Sequence, residues 1–224
     1  MKTKIELIEK EKIIKSIQNE NELFNKIMPF IKSIDQDAFR NSQFRGEFNC
    51  QNLQTVGNSA FLNSEFNGVF NCPNLQEVGQ FAFSLSYFRG EFNCQNLQTV
   101  GKFAFRYSNF KGEFNCPNLQ TVGGHAFDSS QFTGDFNCPK LQEIGNSAFY
   151  YSKFNGEFNC PVCTTIGEYA FANSTFDTIT IGANATLGTR CIGAHSEEFI
   201  NDYEANGKLA GTYVWNGEHW IYRK

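Results

Sequence analysis

The sequence has no apolar run long enough to cross a membrane as a helix, which takes about 20 consecutive apolar residues. It also lacks an excess of positive charge, because 19 Lys and Arg stand against 23 Asp and Glu, for a formal net charge of −4 and a pI of about 5.5. Nucleic acid and anionic lipid both require a basic surface. We therefore predict no membrane insertion and no nucleic-acid partner.

Histidine is scarce as well, with His125, His195 and His219 as the only three. None of them has a nucleophile or a carboxylate at a spacing that local structure would bring together. The sequence therefore predicts no catalytic residues, no cofactor and no enzymatic activity.

What the chain does contain is a repeat. Phe-Asn-Cys occurs six times, beginning at Phe48 and ending with the copy at Phe158, and every interval is 22 residues. A fixed period of this length indicates one small supersecondary unit that is copied and stacked. Function is then expected in the surface that the stack presents.

Each unit has the same order of framework residues, which residues 114–135 illustrate. Phe114 and Cys116 lie two apart, so a short strand points both inward and leaves Glu113 and Asn115 facing water. We predict that the glycine after Val122 has a positive φ. We also predict that the Ala-Phe segment forms a helical or 3₁₀ turn on the opposite wall.

The array extends beyond the obvious copies. Met28, Ile31 and Ile34 occupy the columns of Cys50, Leu53 and Val56, and residues 176–192 fit an eighth copy if one residue is deleted. We divide the chain into a cap (1–25), a solenoid of seven repeats plus a degenerate eighth (26–195) and a second cap (196–224).

This pattern resembles the BspA-type leucine-rich repeat family, whose units carry Ile-Gly, Ala-Phe and a Pro-bounded strand in this order. The unit here is 22 residues where the family more often has 23, and Phe replaces much of the Leu. The resemblance implies an α/β solenoid, a right-handed coil of short parallel strands. It also implies a bacterial or viral binding or adhesion protein, and the family motif carries no catalytic residues.

Both ends of the stack need covers. Residues 1–25 lack the apolar stretch and cleavage site of a signal peptide. They begin with a capping box, Thr3 to Glu6, and continue with an apolar stripe, so we predict a helical cap, with a docking helix for a partner as the alternative.

At the other end, Ser196 is a plausible N-cap and Asn206-Gly207 is a stop signal, so we predict one short helix over residues 196–207. Asn216-Gly217 lies between two alternating segments and predicts a hairpin with a type I′ turn. The hairpin contains both tryptophans and is expected to close the last coil, with an aromatic binding face as the alternative.

Six of the eight cysteines, from Cys50 to Cys160, share one column and are expected to be buried free thiols, because stacked parallel strands orient them poorly for disulfides. Cys160 and Cys163 have zinc or redox spacing without a second pair. An acidic column offers oxygen ligands for Ca²⁺, namely Glu47, Glu91, Glu113, Asp135 and Glu157. We predict no metal, and a metal-dependent module remains an alternative.

The columns in which the copies disagree are the best candidates for partner binding, because changes there cost little packing. They are rich in aromatic residues near the middle of the chain. The candidates are Phe81, Leu85, Phe103, Arg106, Tyr107, His125, Tyr150, Tyr151 and Tyr169. Among them Tyr107, Tyr151 and Arg106 are the strongest, since Tyr and Arg anchor interfaces at low entropy cost.

The leading hypothesis is a non-enzymatic protein that binds another protein or a glycan through this surface. A self-associating spacer with a structural role is the second hypothesis. The absent signal peptide and the free thiols favour a cytoplasmic or particle-associated location. The family resemblance suggests the cell surface instead.

Overall fold

The computed structural model describes residues 30–224 as a solenoid of stacked parallel strands. The predicted N-terminal helical cap lies outside the described residues. Each turn of the coil contributes one short strand to each of two sheets. The first sheet contains β1 (Ser33–Ile34), β3 (Thr55–Val56), β5 (Glu77–Val78), β7 (Thr99–Val100), β9 (Thr121–Val122), β11 (Glu143–Ile144), β13 (Thr165–Ile166) and β15 (Thr186–Leu187).

The second sheet contains the Phe-Asn-Cys segments. Its parallel strands are β2 (Phe48–Asn49), β4 (Phe70–Asn71), β6 (Arg89–Asn93), β8 (Asn109–Phe114), β10 (Gln131–Asn137), β12 (Lys153–Cys160) and β14 (Thr178–Ile181). The pairing register follows the sequence repeat, since Phe48 pairs with Phe70 and Phe70 with Phe92. At the last coil the offset shortens by one residue, and Glu157 pairs with Thr178.

The core consists of stacked columns of phenylalanine. Phe83 stacks on Phe105 with ring centroids 5.2 Å apart, and Phe92 stacks on Phe114 at 5.9 Å. The columns also meet edge to face, as Phe92 and Phe105 do at 5.1 Å. Such pairs contribute about 0.5–1.5 kcal/mol each beyond the burial of area. Because each ring contacts the coils on both sides, the columns hold successive coils in register.

A column of buried serines runs beside the rings. Ser108 Oγ donates to the Ser86 carbonyl oxygen at 3.1 Å, and Ser130 Oγ donates to the Ser108 carbonyl oxygen at 3.4 Å. From Ser86 to Ser174 each hydroxyl of the column donates to the preceding coil, as a buried polar group is expected to, whereas Ser42 Oγ has no partner among residues 30–224.

The prediction of a positive φ at the glycine after Val122 was wrong. Positive φ occurs instead at most glycines of the Ser-x-Phe-x-Gly segments, such as Gly90 at 83° and Gly112 at 85°, but not at Gly68 or Gly156. Gly123 serves another purpose, because a Cβ there would lie 2.5 Å from the backbone nitrogen of Lys102 in the preceding coil. The column is glycine because the coils approach too closely there for any side chain.

The turn at each Ala-Phe pair also differs from the prediction. It is a chain of hydrogen-bonded turns in which the residue before the Ala-Phe pair and the second residue after it have positive φ, as Phe103 and Tyr107 do, so a continuous helical or 3₁₀ segment does not form. The repeats between residues 30 and 195 are therefore a β-solenoid of about seven turns, without the helical element of an α/β unit.

The C-terminal cap begins with α1 (Ser196–Ala205), the only α-helix among residues 30–224. Its N-cap is His195, in a left-handed conformation, and Ser196 Oγ accepts a hydrogen bond from the Ile192 N–H at 3.0 Å. The expected serine N-cap is therefore absent.

The hairpin of β16 (Gly211–Trp215) and β17 (Trp220–Arg223) extends the second sheet, because β16 pairs antiparallel with β14. Trp215 pairs with Trp220, which leaves a four-residue loop where a two-residue type I′ turn was predicted. Asn216 explains the difference, since its Oδ1 accepts hydrogen bonds from the N–H groups of Glu218 and His219. Trp220 is buried against Phe199 of α1, and β16 occupies the outer edge of β14.

In the part of the chain that the structure describes, no helix combines the length and the apolarity that a bilayer span requires.

Candidate recognition surface

The turns at the Ala-Phe pairs line up along the solenoid and form what we call the turn edge. It consists of the residue before each Ala-Phe pair and the two residues after it. Over its central coils these residues are Phe81, Ser84 and Leu85; Phe103, Arg106 and Tyr107; His125, Asp128 and Ser129; and Ser147, Tyr150 and Tyr151, followed by Tyr169. All nine residues that the sequence singled out therefore lie on this edge.

The turn edge holds bulky side chains in a backbone conformation that they rarely adopt. The φ angles of Phe103 and Tyr107 are 59° and 70°, in the left-handed region that costs most residues about 1–2 kcal/mol. The cause is hydrogen bonding between coils. The Phe103 N–H donates to the Gly124 carbonyl oxygen at 2.9 Å, and the Tyr107 N–H donates to the Asp128 carbonyl oxygen at 3.0 Å.

Three rings of the turn edge form a continuous stack. Phe81 and Phe103 have ring centroids 4.9 Å apart and planes within 2° of each other. Phe103 and His125 follow at 5.0 Å and 4°. All three residues are half-buried, so the stack leaves part of its surface open to solvent. The stack is a rigid, partly exposed aromatic ridge.

Arg106 lies against this ridge. Its guanidinium carbon is 5.5 Å from the centroid of the Phe103 ring and 4.6 Å from that of the Tyr107 ring. Each such contact contributes about 0.5–1 kcal/mol at an exposed site. The two rings hold a cation in one orientation, which lowers the entropy that it would lose on binding.

Asp128 belongs to the same cluster and was missed from the sequence, so the expectation that no histidine has a carboxylate at a suitable spacing was wrong for His125. Its Oδ2 lies 3.4 Å from Arg106 Nε and 3.3 Å from His125 Nδ1, and its side chain is only 11% exposed. Ser129 Oγ donates to its other oxygen at 3.3 Å. The signal was available, because Asp128 follows Arg106 by one repeat in the same column and has the opposite charge.

We call Phe81, Phe103, Arg106, Tyr107, His125 and Asp128 the central cluster. The remaining predicted residues lie on the same edge outside it. Tyr150 and Tyr151 contact each other edge to face at 4.5 Å, and Tyr151 is 53% exposed. Tyr169 is also exposed, and it occupies the same column as Ser147, one coil later.

Leu85 lies toward the N-terminal end of the turn edge, where it lines an open groove of about 440 Å³. The groove also contains the exposed Tyr87 and the side chains of Asn63 and Glu65. Glu65 accepts a hydrogen bond from Arg45 Nε at 2.6 Å. Most of the residues that line the groove are polar.

The other two histidines lie in the C-terminal cap. His195 stacks on Trp215 with ring centroids 4.2 Å apart, and His219 Nδ1 lies 3.5 Å from Asp202. Neither is on the turn edge.

The eight cysteines are all buried free thiols. Burial raises the pKa of the Cys163 thiol to about 11 and that of Cys191 to about 12. A thiolate is the form that binds metal or attacks a substrate. Across residues 30–224 no three His, Cys, Asp or Glu side chains come together as a metal site requires. Buried, protonated thiols are not in the form that binds metal.

The stacked coils and their variable turn edge define a leucine-rich-repeat solenoid. The chain belongs to the family described as BspA type leucine rich repeat region, whose sequence pattern matches residues 12–134 and 91–196 with six copies. This match confirms the resemblance inferred from Val-Gly, Ala-Phe and Cys-Pro. No curated protein matches the chain. Proteins of this family are generally repeat proteins of protein binding or adhesion, and they are typically non-enzymatic.

Proposed function

We propose that this protein is a non-enzymatic recognition protein that binds another protein through the turn edge. The observation that carries the proposal is the central cluster, in which an arginine is held between two rings beside a stacked aromatic ridge. Interface hot spots are enriched in Tyr, Trp and Arg and lie in well-packed surroundings. A preordered anchor of this kind loses little entropy when a partner binds.

The backbone of the turn edge supports the same function. Hydrogen bonds between the coils fix every turn, so the ridge, Tyr107 and the Tyr150–Tyr151 pair have fixed relative positions. Binding then needs no ordering of a loop. A glycan remains the alternative ligand, because exposed tyrosines and the polar groove near Leu85 offer both flat rings and hydrogen-bonding groups.

The test uses a partner captured from the native host and identified by mass spectrometry. We expect the double variant Tyr107→Ala with Tyr151→Ala to lose at least about 30-fold in affinity, as hot-spot tyrosines do. The matched control is Asn115→Ala with Asn137→Ala, which changes two exposed residues of the second sheet and is expected to bind normally. Unchanged binding by the tyrosine variant would show that the turn edge is not the interface.

Self-association is a second candidate, favoured by a different observation. β17 is the last strand of the second sheet, and Ile221 on it is 46% exposed. An outermost strand is a template for pairing with another chain. Light scattering of the wild type and of Ile221→Lys distinguishes this role, because a spacer that associates through β17 would become monomeric in the variant.

A further inference from the structure

The guanidinium of Arg106 is held in place, yet its hydrogen-bonding capacity is largely unused. Arg106 Nε lies at ion-pair distance from Asp128, 3.4 Å, but it is buried and forms no aligned hydrogen bond within residues 30–224. The structure likewise shows no hydrogen bond from the two terminal nitrogens to any described residue, and the side chain is 35% exposed. A buried or oriented polar group without partners needs an explanation.

From this we propose that Arg106 is the specificity anchor of the turn edge, and that it receives the carboxylate of an Asp or Glu side chain on the partner protein. This inference rests on the proposed function and names the chemistry of the partner. The terminal nitrogens of a guanidinium match the two oxygens of a carboxylate. The rings of Phe103 and Tyr107 already hold the guanidinium, so its N–H donors are oriented before the partner binds.

Local charge favours an anion, although the whole chain is acidic. The coil that carries Arg106 also presents Lys102 and Lys111, and its first acidic residue after Lys102 is Glu113. Both lysines are exposed. Residues 102–112 therefore carry three positive charges and no negative one. Complementary potentials of this kind determine which partners are accepted.

The net charge around Arg106 favours a carboxylate over a phosphate as the ligand. Asp128 lies beside Arg106 and offsets part of its charge. A phosphate group carries about −1.5 to −2 at neutral pH and is recognised by clusters of arginine. A single arginine with a neighbouring carboxylate suits a singly charged ligand. The adjoining ridge of Phe81, Phe103 and His125 suits a peptide that places an apolar residue beside its acidic one.

The experiment selects binders from a displayed library of random peptides on the wild-type protein. Peptides are kept as turn-edge binders if they compete with one another for the wild type and do not bind the double variant Tyr107→Ala with Tyr151→Ala. We expect them to share one Asp or Glu at a fixed position. Replacing that residue by its amide should lower the affinity about 10- to 100-fold, as the loss of a charged hydrogen bond does.

Three variants of the protein then test whether Arg106 is the residue that binds the acidic side chain of the peptide. Arg106→Gln is expected to lose the same 10- to 100-fold, with no further loss when the amide peptide is used, because both changes remove one contact. Arg106→Lys keeps the charge and should still lose about tenfold, since an ammonium lacks the fork. Lys32→Gln is the matched control, since this exposed lysine lies in the first described coil, and it should change affinity less than about twofold.

The outcomes separate this inference from the proposed function. Turn-edge binders that share no acidic residue, or that bind Arg106→Gln normally, would overturn the inference and leave the proposed function standing. Binding of phosphopeptides or of acidic glycans in preference to carboxylate peptides, with the same dependence on Arg106, would also overturn it. A library that yields no binder dependent on the turn edge would count against both.

Discussion

Gly123 approaches Lys102 of the preceding coil so closely that a Cβ on Gly123 would lie 2.5 Å from the Lys102 backbone nitrogen. The same relationship recurs along the solenoid, for example between Gly101 and Gln80, also at 2.5 Å. Backbone atoms cannot yield as the end of a side chain can. The spacing of the coils at the first sheet therefore depends on a column without side chains.

Replacing Gly123 by Ala should destabilise the protein by about 1–3 kcal/mol, the usual cost of forcing extra atoms into a packed interior. Urea unfolding followed by circular dichroism measures the effect. The control is Gly124→Ala, one residue along, where the nearest atom is the Asn146 carbonyl oxygen at 3.2 Å and the coil needs only a small shift. Equal stability of the two variants would contradict the close-approach explanation.

The cysteines should resist alkylation while the protein is folded. All eight are buried, and burial raises the pKa of the Cys94, Cys116, Cys138 and Cys160 thiols well above the usual range. Iodoacetamide at pH 8 is expected to leave the native protein unmodified and to add eight groups after unfolding in guanidinium. Mass spectrometry counts the additions. Rapid labelling of several thiols in the native state would show that the column is accessible.

The same thiols should make the protein sensitive to alkaline pH. An unfolded thiol loses its proton near pH 9, whereas the folded Cys163 and Cys191 thiols hold theirs until about pH 11 and 12. Above pH 9 the unfolded state therefore binds fewer protons, and stability falls with rising pH by up to about 1.4 kcal/mol per unit for each thiol. Below pH 9 both states are protonated and the thiols cause no change.

Urea titrations between pH 7.5 and 10.5 measure this slope. Cys116→Ala provides the internal comparison, because it removes one buried thiol from the column. We expect a variant that is less stable at pH 7.5 and whose stability falls less steeply above pH 9. A wild-type stability that stays constant from pH 8 to pH 10.5 would contradict the burial of the thiols.

The coil itself was predictable because the framework residues recur at a fixed interval and each copy is buried in the same surroundings. Leu119 and Val122 occupy positions that every coil buries, so the period of 22 residues defined the inward columns. The role of Gly123 was not predictable, since a glycine suits both a positive φ and a close approach of two backbones. The distance between neighbouring coils decides which of the two roles the glycine has, and the sequence of one repeat does not reveal that distance.

The turn edge was predictable as a set of columns but not as a cluster. Phe103 and Tyr107 stood out by residue type, whereas the stacking of Phe103 on His125 depends on left-handed backbone angles that aromatic residues rarely adopt. Asp128 was not predicted, because the sequence of one repeat does not show which side chain of the neighbouring coil lies beside it. The relevant neighbour was Arg106, one coil earlier.

The hairpin should be essential for solubility, because β16 covers the outer edge of β14. Trp220 holds it in place. Its indole N–H donates to the His195 carbonyl oxygen at 3.3 Å, its backbone N–H donates to Asp202 Oδ2 at 2.7 Å, and its ring is 2% exposed. We expect Trp220→Ala to lose about 3–5 kcal/mol, as other large-to-small core changes do. Trp215→Ala should lose less, because that ring is only partly buried against His195.

Both tryptophans lie in this hairpin, so their fluorescence reports the cap alone, while circular dichroism reports the whole solenoid. In Trp220→Ala the remaining fluorescence of Trp215 should change at a lower urea concentration than the circular dichroism, because the coils of a repeat array interact only with their neighbours. The variant should also associate at high protein concentration once the edge of β14 is open. Coincident transitions and a monomeric variant would show instead that the cap neither unfolds first nor protects the edge.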